Sequence, residues 1–197
     1  SFIIAFGVVK AFTNIASGVL ADRYTRKRIL IVGWLIGVPV PFMLGWGPSW
    51  NWILFANVLL GISQGLAWSM TVNMKIDLVG PKKRGLAMGL NEAAGYGAVG
   101  LTALLTGYIA SSYGLRPEPF YIGIFYTLAG LIISWLIIRD TKAHARLEGS
   151  QLKKNSAGEA AHKPKTFWVF AETSWRNKTL FSVSQAGLVN NLNDGMS

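Results

Sequence analysis

The chain of 197 residues has no cysteine, only two histidines and few charged residues. The absence of cysteine excludes a disulfide framework and any metal or redox site built on thiolates. Charged residues make up 14% of the sequence, whereas soluble domains carry about 25%. Acidic residues are especially scarce, because 9 Asp and Glu stand against 19 Lys and Arg. This composition argues against an ordinary soluble domain.

The basic residues are confined to short segments between long apolar runs. Four lie in residues 21–28, four in residues 75–84 and nine in residues 139–179. A nucleic-acid groove needs its charges on one continuous face, so we do not expect nucleic acid as a partner. The basic connections alternate with nearly neutral ones, which is typical of a membrane protein whose basic loops face the cytoplasm.

Apolar stretches recur at the length needed to cross a bilayer, about 20 residues for a core of about 30 Å. The sequence therefore predicts an all-α fold, a polytopic transmembrane helix bundle, with a kink from Pro39 and Pro41. The predicted spans are residues 1–20, 29–46, 52–74, 85–110 and 120–138, and a sixth begins at Leu180 and is cut off at Ser197.

These spans predict three regions. Residues 1–138 are an N-terminal bundle of five helices, residues 139–179 a basic cytoplasmic linker, and residues 180–197 the truncated start of a second transmembrane half. The chain has neither an initiator Met nor a secretory signal. We interpret it as a fragment of a longer protein of the inner or plasma membrane, whose surroundings are the lipid bilayer and its own missing C-terminal half.

Lys10 is the most unusual residue, because it lies in the middle of an apolar span. A charge at that depth is costly and indicates a functional site. Gly7, Lys10, Asn14 and Ser17 follow helical spacing, and we expect this stripe to face protein or a water-filled cavity. The alternative is that Lys10 extends outward to an interface.

Glu92 lies at a similar depth in the fourth span. We hypothesise that it pairs with Lys10 or relays a proton, because such a pair lowers the cost of burying both charges. The alternative is that Glu92 reaches Lys83 or Arg84 at the interface.

The third span places Asn57, Gly61, Gln64 and Trp68 on one stripe. Such a stripe suits either a substrate cavity or hydrogen bonding between packed helices. The last segment adds a dense polar run. The candidate residues of the substrate or proton pathway are Lys10, Asn14, Asn57, Gln64, Trp68, Asn91, Glu92, Asn190 and Asp194.

Other patterns do not predict chemistry. Residues 95–100 fit G-x-G-x-x-G, but that fingerprint needs a strand before it and a soluble βαβ unit around it. His144 and Glu148 are spaced like metal ligands, yet a lone pair on a linker is more typical of a solvated face. We therefore expect no metal, no cofactor and no enzymatic activity.

Residues 18–28 resemble motif A of the major facilitator superfamily, G-x-x-x-D-R-x-G-R-R/K. The matching residues are Gly18, Asp22, Arg23, Arg26 and Lys27, and Thr25 replaces the second glycine. In that superfamily the motif joins helices two and three. The resemblance implies that the chain covers helices two to six and the start of helix seven, with residues 139–179 as the linker between two six-helix halves.

The resemblance also implies secondary active transport of a small solute by alternating access, with protons as a candidate coupling ion. Asp22 would interact with the dipole of a helix end in the other half, and Gly18 would allow close packing there. Arg23 and Arg26 would complete the charged contacts that close the cytoplasmic side. Residues 61–65 lack the arginine of the R-x-x-Q-G motif of proton-coupled members, and residues 95–100 lack the G-P pair of drug antiporters. The alternative is a sensor, a receptor or a membrane-embedded enzyme on the same scaffold.

Overall fold

The computed structural model describes residues 2–155 and 166–194, and helices account for nearly all of them. No β-strand occurs in these two ranges, in agreement with the all-α prediction. The helices are α1 Phe2–Arg23, α2 Arg26–Gly37, α3 Pro39–Trp46, α4 Trp50–Val79, α5 Arg84–Tyr113, α6 Phe120–Leu136, α7 Lys142–Asn155, α8 Thr166–Ala171 and α9 Lys178–Asp194. A 3₁₀ turn, Pro81–Lys83, precedes α5, and a π-helical turn, Glu172–Arg176, follows α8.

The bundle helices coincide with the apolar stretches of the sequence. Among the described residues, four helical stretches are long and apolar enough to cross a membrane, namely Phe2–Arg23, Arg26–Trp46, Trp50–Val79 and Pro81–Tyr113. α6 is apolar but has only 17 residues, which span about 25 Å. The hydrogen-bond pattern of the second stretch is interrupted at Val38, between α2 and α3, because Pro39 lacks the N–H that would continue it.

α4 is the central helix, and glycines let its neighbours approach it closely. A Cβ added at Gly61 would lie 2.8 Å from the Phe6 carbonyl oxygen of α1, and one at Gly65 would lie 2.6 Å from Thr13 Cβ. Gly33 of α2 meets another side of α4 in the same way. Small residues at such spacing let membrane helices pack backbone to backbone. α6 packs on α2 and α3, and α5 packs on α4.

The basic connections meet at one end of the bundle, which we call the basic end. Arg26 at the start of α2 forms an ion pair with Asp77 near the end of α4. The backbone N–H of Lys27 donates to Asp140, which follows α6. The α1–α2, α4–α5 and α6–α7 connections therefore lie together, as the alternation of loop charge requires.

α7 belongs to the same compact unit as the bundle. Residues 1–155 form one unit and residues 156–197 a second. α7 packs against α4, and Arg84 of α5 pairs with Glu148 of α7 at 2.6 Å. The first unit thus extends beyond residue 138, because polar contacts attach the start of the basic segment to the bundle. Within the second unit, the Arg176 guanidinium lies 5.2 Å from the centroid of the Trp168 ring.

Candidate functional site

The start of α2 is fixed at the basic end by a cap and an ion pair. The Thr25 hydroxyl accepts a hydrogen bond from the Arg28 N–H at 3.4 Å. Threonine is a favourable N-cap, so the residue that replaces the second glycine of the motif has a structural role. Arg26 pairs with Asp77 at 3.1 Å, and their side chains are only 15% and 11% exposed. Thr141 donates to the same carboxylate at 2.8 Å, which joins α2, α4 and the chain after α6.

Asp140 connects the α1–α2 loop to the segment after α6. Its carboxylate accepts hydrogen bonds from the backbone N–H groups of Lys27 at 3.0 Å and Lys142 at 2.9 Å. Burial disfavours the charge of Asp140, but the two N–H groups, the Thr25 hydroxyl and the Arg26 charge outweigh burial and lower the pKa of this carboxyl below its ordinary value. Asp140 is therefore a charged anchor for the loop.

Two lysines bind backbone carbonyls at the ends of α1 and α6. Lys142 Nζ donates to the carbonyl oxygens of Asp22 and Tyr24, each at 2.8 Å. Lys27 Nζ donates to the carbonyl oxygen of Trp135 at 2.7 Å. Carbonyls in the last turn of a helix lack intrahelical partners and carry partial negative charge, so cations stabilise them.

The motif residues Gly18 and Asp22 lie on a face of α1 that the rest of residues 2–155 leaves uncovered. The Asp22 carboxylate makes no hydrogen bond or ion pair within this range. A Cβ added at Gly18 would meet nothing within 4 Å. Gly7 and Asn14 continue the same exposed stripe along α1. Arg23 is exposed as well, whereas Arg26 and Lys27 are used inside the basic end.

Lys10 lies against α4 rather than extending away from the bundle. Its ammonium group donates to Gln64 Oε1 at 3.1 Å and lies 5.3 Å from the centroid of the Phe6 ring. Asp22 is twelve residues further along α1, about 18 Å away, so Lys10 lies deep between the ends of the helix. Both of its partners are electrically neutral.

Asn14 and Trp68 extend the polar region beside Lys10. Asn14 Oδ1 accepts a hydrogen bond from the Ser69 hydroxyl at 3.0 Å. The Trp68 ring lies on Gly95 of α5, where an added Cβ would be 2.8 Å from Trp68 Cη2. Gly95 belongs to the glycine-rich stretch 95–100 and accommodates an indole ring. We call the surface formed by these helices at this depth the polar face, and its residues are Lys10, Asn14, Gln64, Trp68, Asn91 and Glu92.

Glu92 forms neither of the ion pairs expected from the sequence. No Lys or Arg nitrogen of the described residues lies within 4.0 Å of its carboxylate, although the carboxylate is near enough to attract Lys10 electrostatically. Arg84, an alternative partner, pairs with α7 instead. Glu92 Oε1 accepts a long hydrogen bond of 3.4 Å from the Asn91 amide, and Asn91 Oδ1 accepts one of 2.5 Å from Lys75.

Several predicted pathway residues are not part of the polar face. Asn57 donates to the Ile53 carbonyl of its own helix at 2.8 Å, which satisfies the amide without a second helix. Gly61 lies in the α1–α4 contact and cannot line a cavity. Asn190 and Asp194 belong to the backbone of α9, but their side chains lie outside the described residues.

Sequence reasoning missed the acidic residues that organise the basic end. Asp77 is the sole acidic residue of segment 75–84, and this isolation among basic residues could have identified it. The role of Asp140 depends on where the chain returns after α6, which spacing does not reveal. Glu148, considered with His144 for a metal, pairs with Arg84. The described residues contain no group of three or more His, Cys, Asp or Glu that could hold a metal ion.

The sequence is similar to known transporters. It is 28% identical over 153 residues to the probable 4-methylmuconolactone transporter of Cupriavidus pinatubonensis, covering 76% of this chain and 35% of that protein. It is 30% identical over 151 residues to the multidrug resistance protein MdtG of Dickeya zeae, covering 74% and 36%. It is 28% identical over 160 residues to the 3-(3-hydroxy-phenyl)propionate transporter of Escherichia coli, covering 79% and 38%.

The chain spans about a third of the length of the curated relatives it matches. No solved structure gives a significant match. The family profile of the Major Facilitator Superfamily matches residues 1–192, nearly the whole chain, and the helical bundle with its motif at residues 18–27 agrees with that match. The chain therefore belongs to the Major Facilitator Superfamily.

Proposed function

We propose that this chain is the N-terminal part of a secondary transporter that moves a small organic solute across the inner or plasma membrane by alternating access. The observation that carries the proposal is the polar face, where side chains of α1, α4 and α5 gather in the middle of apolar helices. Most of this face is uncovered within residues 2–155. Polar groups at membrane depth are costly unless they face protein, water or a solute, and transporters place their solute sites at that depth.

The basic end is the cytoplasmic gate in this proposal. The Asp22 carboxylate supports it, because it makes no hydrogen bond or ion pair within residues 2–155 and therefore suits the positive end of a helix in the second half of the protein. Gly18 leaves room for that helix to approach. The Arg26–Asp77 pair keeps the loop in place while the gate opens and closes. The basic residues of all three loops favour the cytoplasmic side.

The named relatives support transport of small organic molecules and fall into two groups. Two of those described above are named for single metabolites and one for multidrug resistance. Protons are the proposed coupling ion, because Glu92 is a titratable carboxylate on the polar face. The relatives are named as transporters, which favours transport over catalysis on this scaffold.

Flux through the full-length protein in proteoliposomes tests the proposal and separates a transporter from a sensor. Labelled 3-(3-hydroxyphenyl)propionate and the cationic dye ethidium represent the two groups of relatives. We expect saturable movement of at least one probe that depends on an imposed pH gradient and stops when a protonophore collapses it. The absence of flux for both probes, and for a wider panel of labelled acids, cations and sugars, would contradict the function.

Asp22→Asn tests the gate separately from the solute site. Loss of the charge weakens an interaction worth about 0.3–1 kcal/mol, so we expect the initial rate of transport to fall about two- to fivefold with unchanged thermal stability. Glu172→Gln is the matched control, because Glu172 is exposed and forms only a 3.8 Å pair with Arg176. Equal transport by both variants and the unmodified protein would remove Asp22 from the gate.

A further inference from the structure

We propose that the polar face binds an organic anion, whose carboxylate pairs with Lys10 and whose apolar part lies against Trp68. Glu92 competes with this carboxylate for Lys10. This inference rests on the transport function proposed above and adds the substrate class and the residues that recognise it.

Lys10 has no direct ion pair among the residues that the structure describes. Its hydrogen bond goes to the neutral amide of Gln64 at 3.1 Å, and the Phe6 ring lies 5.3 Å away. A lone ammonium group at membrane depth is costly, and a bound anion lowers that cost by direct pairing.

Gln64 and Trp68 supply the other contacts that an organic acid needs. The Gln64 amide uses its oxygen for Lys10, and its Nε2 group donates to no residue in the described ranges, so it is available for the second carboxylate oxygen. Trp68 lies one helical turn further along α4, is 40% exposed, and rests on Gly95. A ring with an exposed face beside a cation suits a solute with one charged and one apolar end.

Glu92 is positioned to act as the competitor. Its carboxylate attracts Lys10 without forming a direct ion pair. The other charged or titratable groups near it are Lys75 of α4, which is connected through Asn91, and Tyr96 one turn along α5. Glu92 therefore attracts Lys10 at long range, and a bound carboxylate would pair with Lys10 directly.

Binding to the purified full-length protein in lipid nanodiscs provides the test. The probes are labelled benzoate and 3-phenylpropionate, and 3-phenylpropionamide is the uncharged competitor of the same shape. We expect the acids to bind and the amide to compete poorly. Lys10→Gln should weaken acid binding at least about tenfold, whereas Lys10→Arg should retain most of it. Lys82→Gln is the matched control, because Lys82 is exposed in the turn before α5.

Removal of the Glu92 charge tests the competition for Lys10. The measurement is made near pH 7, where the probes are ionised because carboxylic acids have an ordinary pKa of about 4.3. Glu92→Gln removes the negative charge that attracts Lys10. We expect this variant to bind the acids more tightly than the unmodified protein. This comparison decides the matter if Lys10→Gln does not yield a monodisperse protein.

Three results would overturn the inference. Equal competition by the acid and its amide would show that charge is not recognised. Equal binding by Lys10→Gln and Lys82→Gln would remove Lys10. Equal or weaker acid binding by Glu92→Gln would remove Glu92 as the competitor. If the protein moves ethidium but binds no acid, the substrate class is wrong while transport stands, and if no solute of any charge moves, the transport function itself fails.

Discussion

Two arginines at the basic end, Arg26 and Arg84, form ion pairs within the chain, whereas Lys10 and Glu92 on the polar face form hydrogen bonds with neutral amides. Arg26 pairs with Asp77. Among the described residues, Lys10 donates to the amide of Gln64, and the Glu92 carboxylate accepts from the amide of Asn91. Both regions use α4, so the difference comes from the partners rather than from that helix. The basic end therefore stabilises the fold of this chain, and we propose that a solute or the rest of the protein completes the polar face.

The α1–α4 contact supports both regions, and breaking it should have the largest effect. Gly65→Leu places a side chain where even a Cβ would lie 2.6 Å from Thr13 Cβ. We expect a loss of about 3 kcal/mol or more in the free energy of unfolding, because overpacking forces the two backbones apart. Thermal unfolding of the full-length protein in detergent measures it. Gly149→Leu on α7 is the matched control, since nothing lies within 4 Å of a Cβ there, and an equal loss in both variants would contradict the assigned contact.

Asp77→Asn breaks the basic end and leaves the polar face intact. It removes the charge that Arg26 and Thr141 share at 3.1 and 2.8 Å. Loss of a partly buried, charge-assisted hydrogen bond should cost about 1.5–3 kcal/mol of unfolding free energy, whereas Glu172→Gln should cost less than about 1 kcal/mol because its pair is exposed. Thermal unfolding separates the two variants. If Asp77→Asn were as stable as Glu172→Gln, the basic end would not stabilise the fold.

Asp140 makes the stability of the basic end depend on pH, with a smaller expected effect than the two substitutions above. Its pKa is lower in the folded protein than its ordinary value, so its contribution to stability is present at neutral pH. That contribution is lost as the pH falls from about 4 through the lowered pKa. We expect Asp140→Asn to lower the melting temperature at pH near 7 and to have a smaller effect near pH 3. A difference that grows on acidification would contradict the sign.

Much of the fold could be predicted from the sequence, because span length and loop charge are local properties. The apolar stretches predicted the bundle helices, and Pro39 predicted the break after α2. The basic segments around Arg26 and Lys83 indicated connections at a common end. Each of these inferences needs only the chemistry of neighbouring residues.

The partners on the polar face could not be predicted, because they depend on how each helix is rotated about its axis. A soluble helix shows this rotation by its apolar stripe, but a membrane helix is apolar on most sides. Gln64 and Gly61 shared one predicted stripe, yet Gln64 binds Lys10 while Gly61 packs against α1. The pair expected from Lys10 and Glu92 rested on depth alone, and depth does not fix the direction of a side chain.

Cysteine accessibility on α1 tests most directly the central claim that the polar face is the solute pathway. The chain has no cysteine, so single cysteines can be placed at Asn14 on this face and at Ile15, an apolar residue that is 55% exposed. Any cysteines in the rest of the full-length protein are replaced first. We expect a charged, membrane-impermeant thiol reagent to modify Asn14→Cys in vesicles. A transported acid should slow this modification. Ile15→Cys faces lipid and should not react. Faster modification of Ile15→Cys, or no effect of any transported solute on Asn14→Cys, would contradict the central claim.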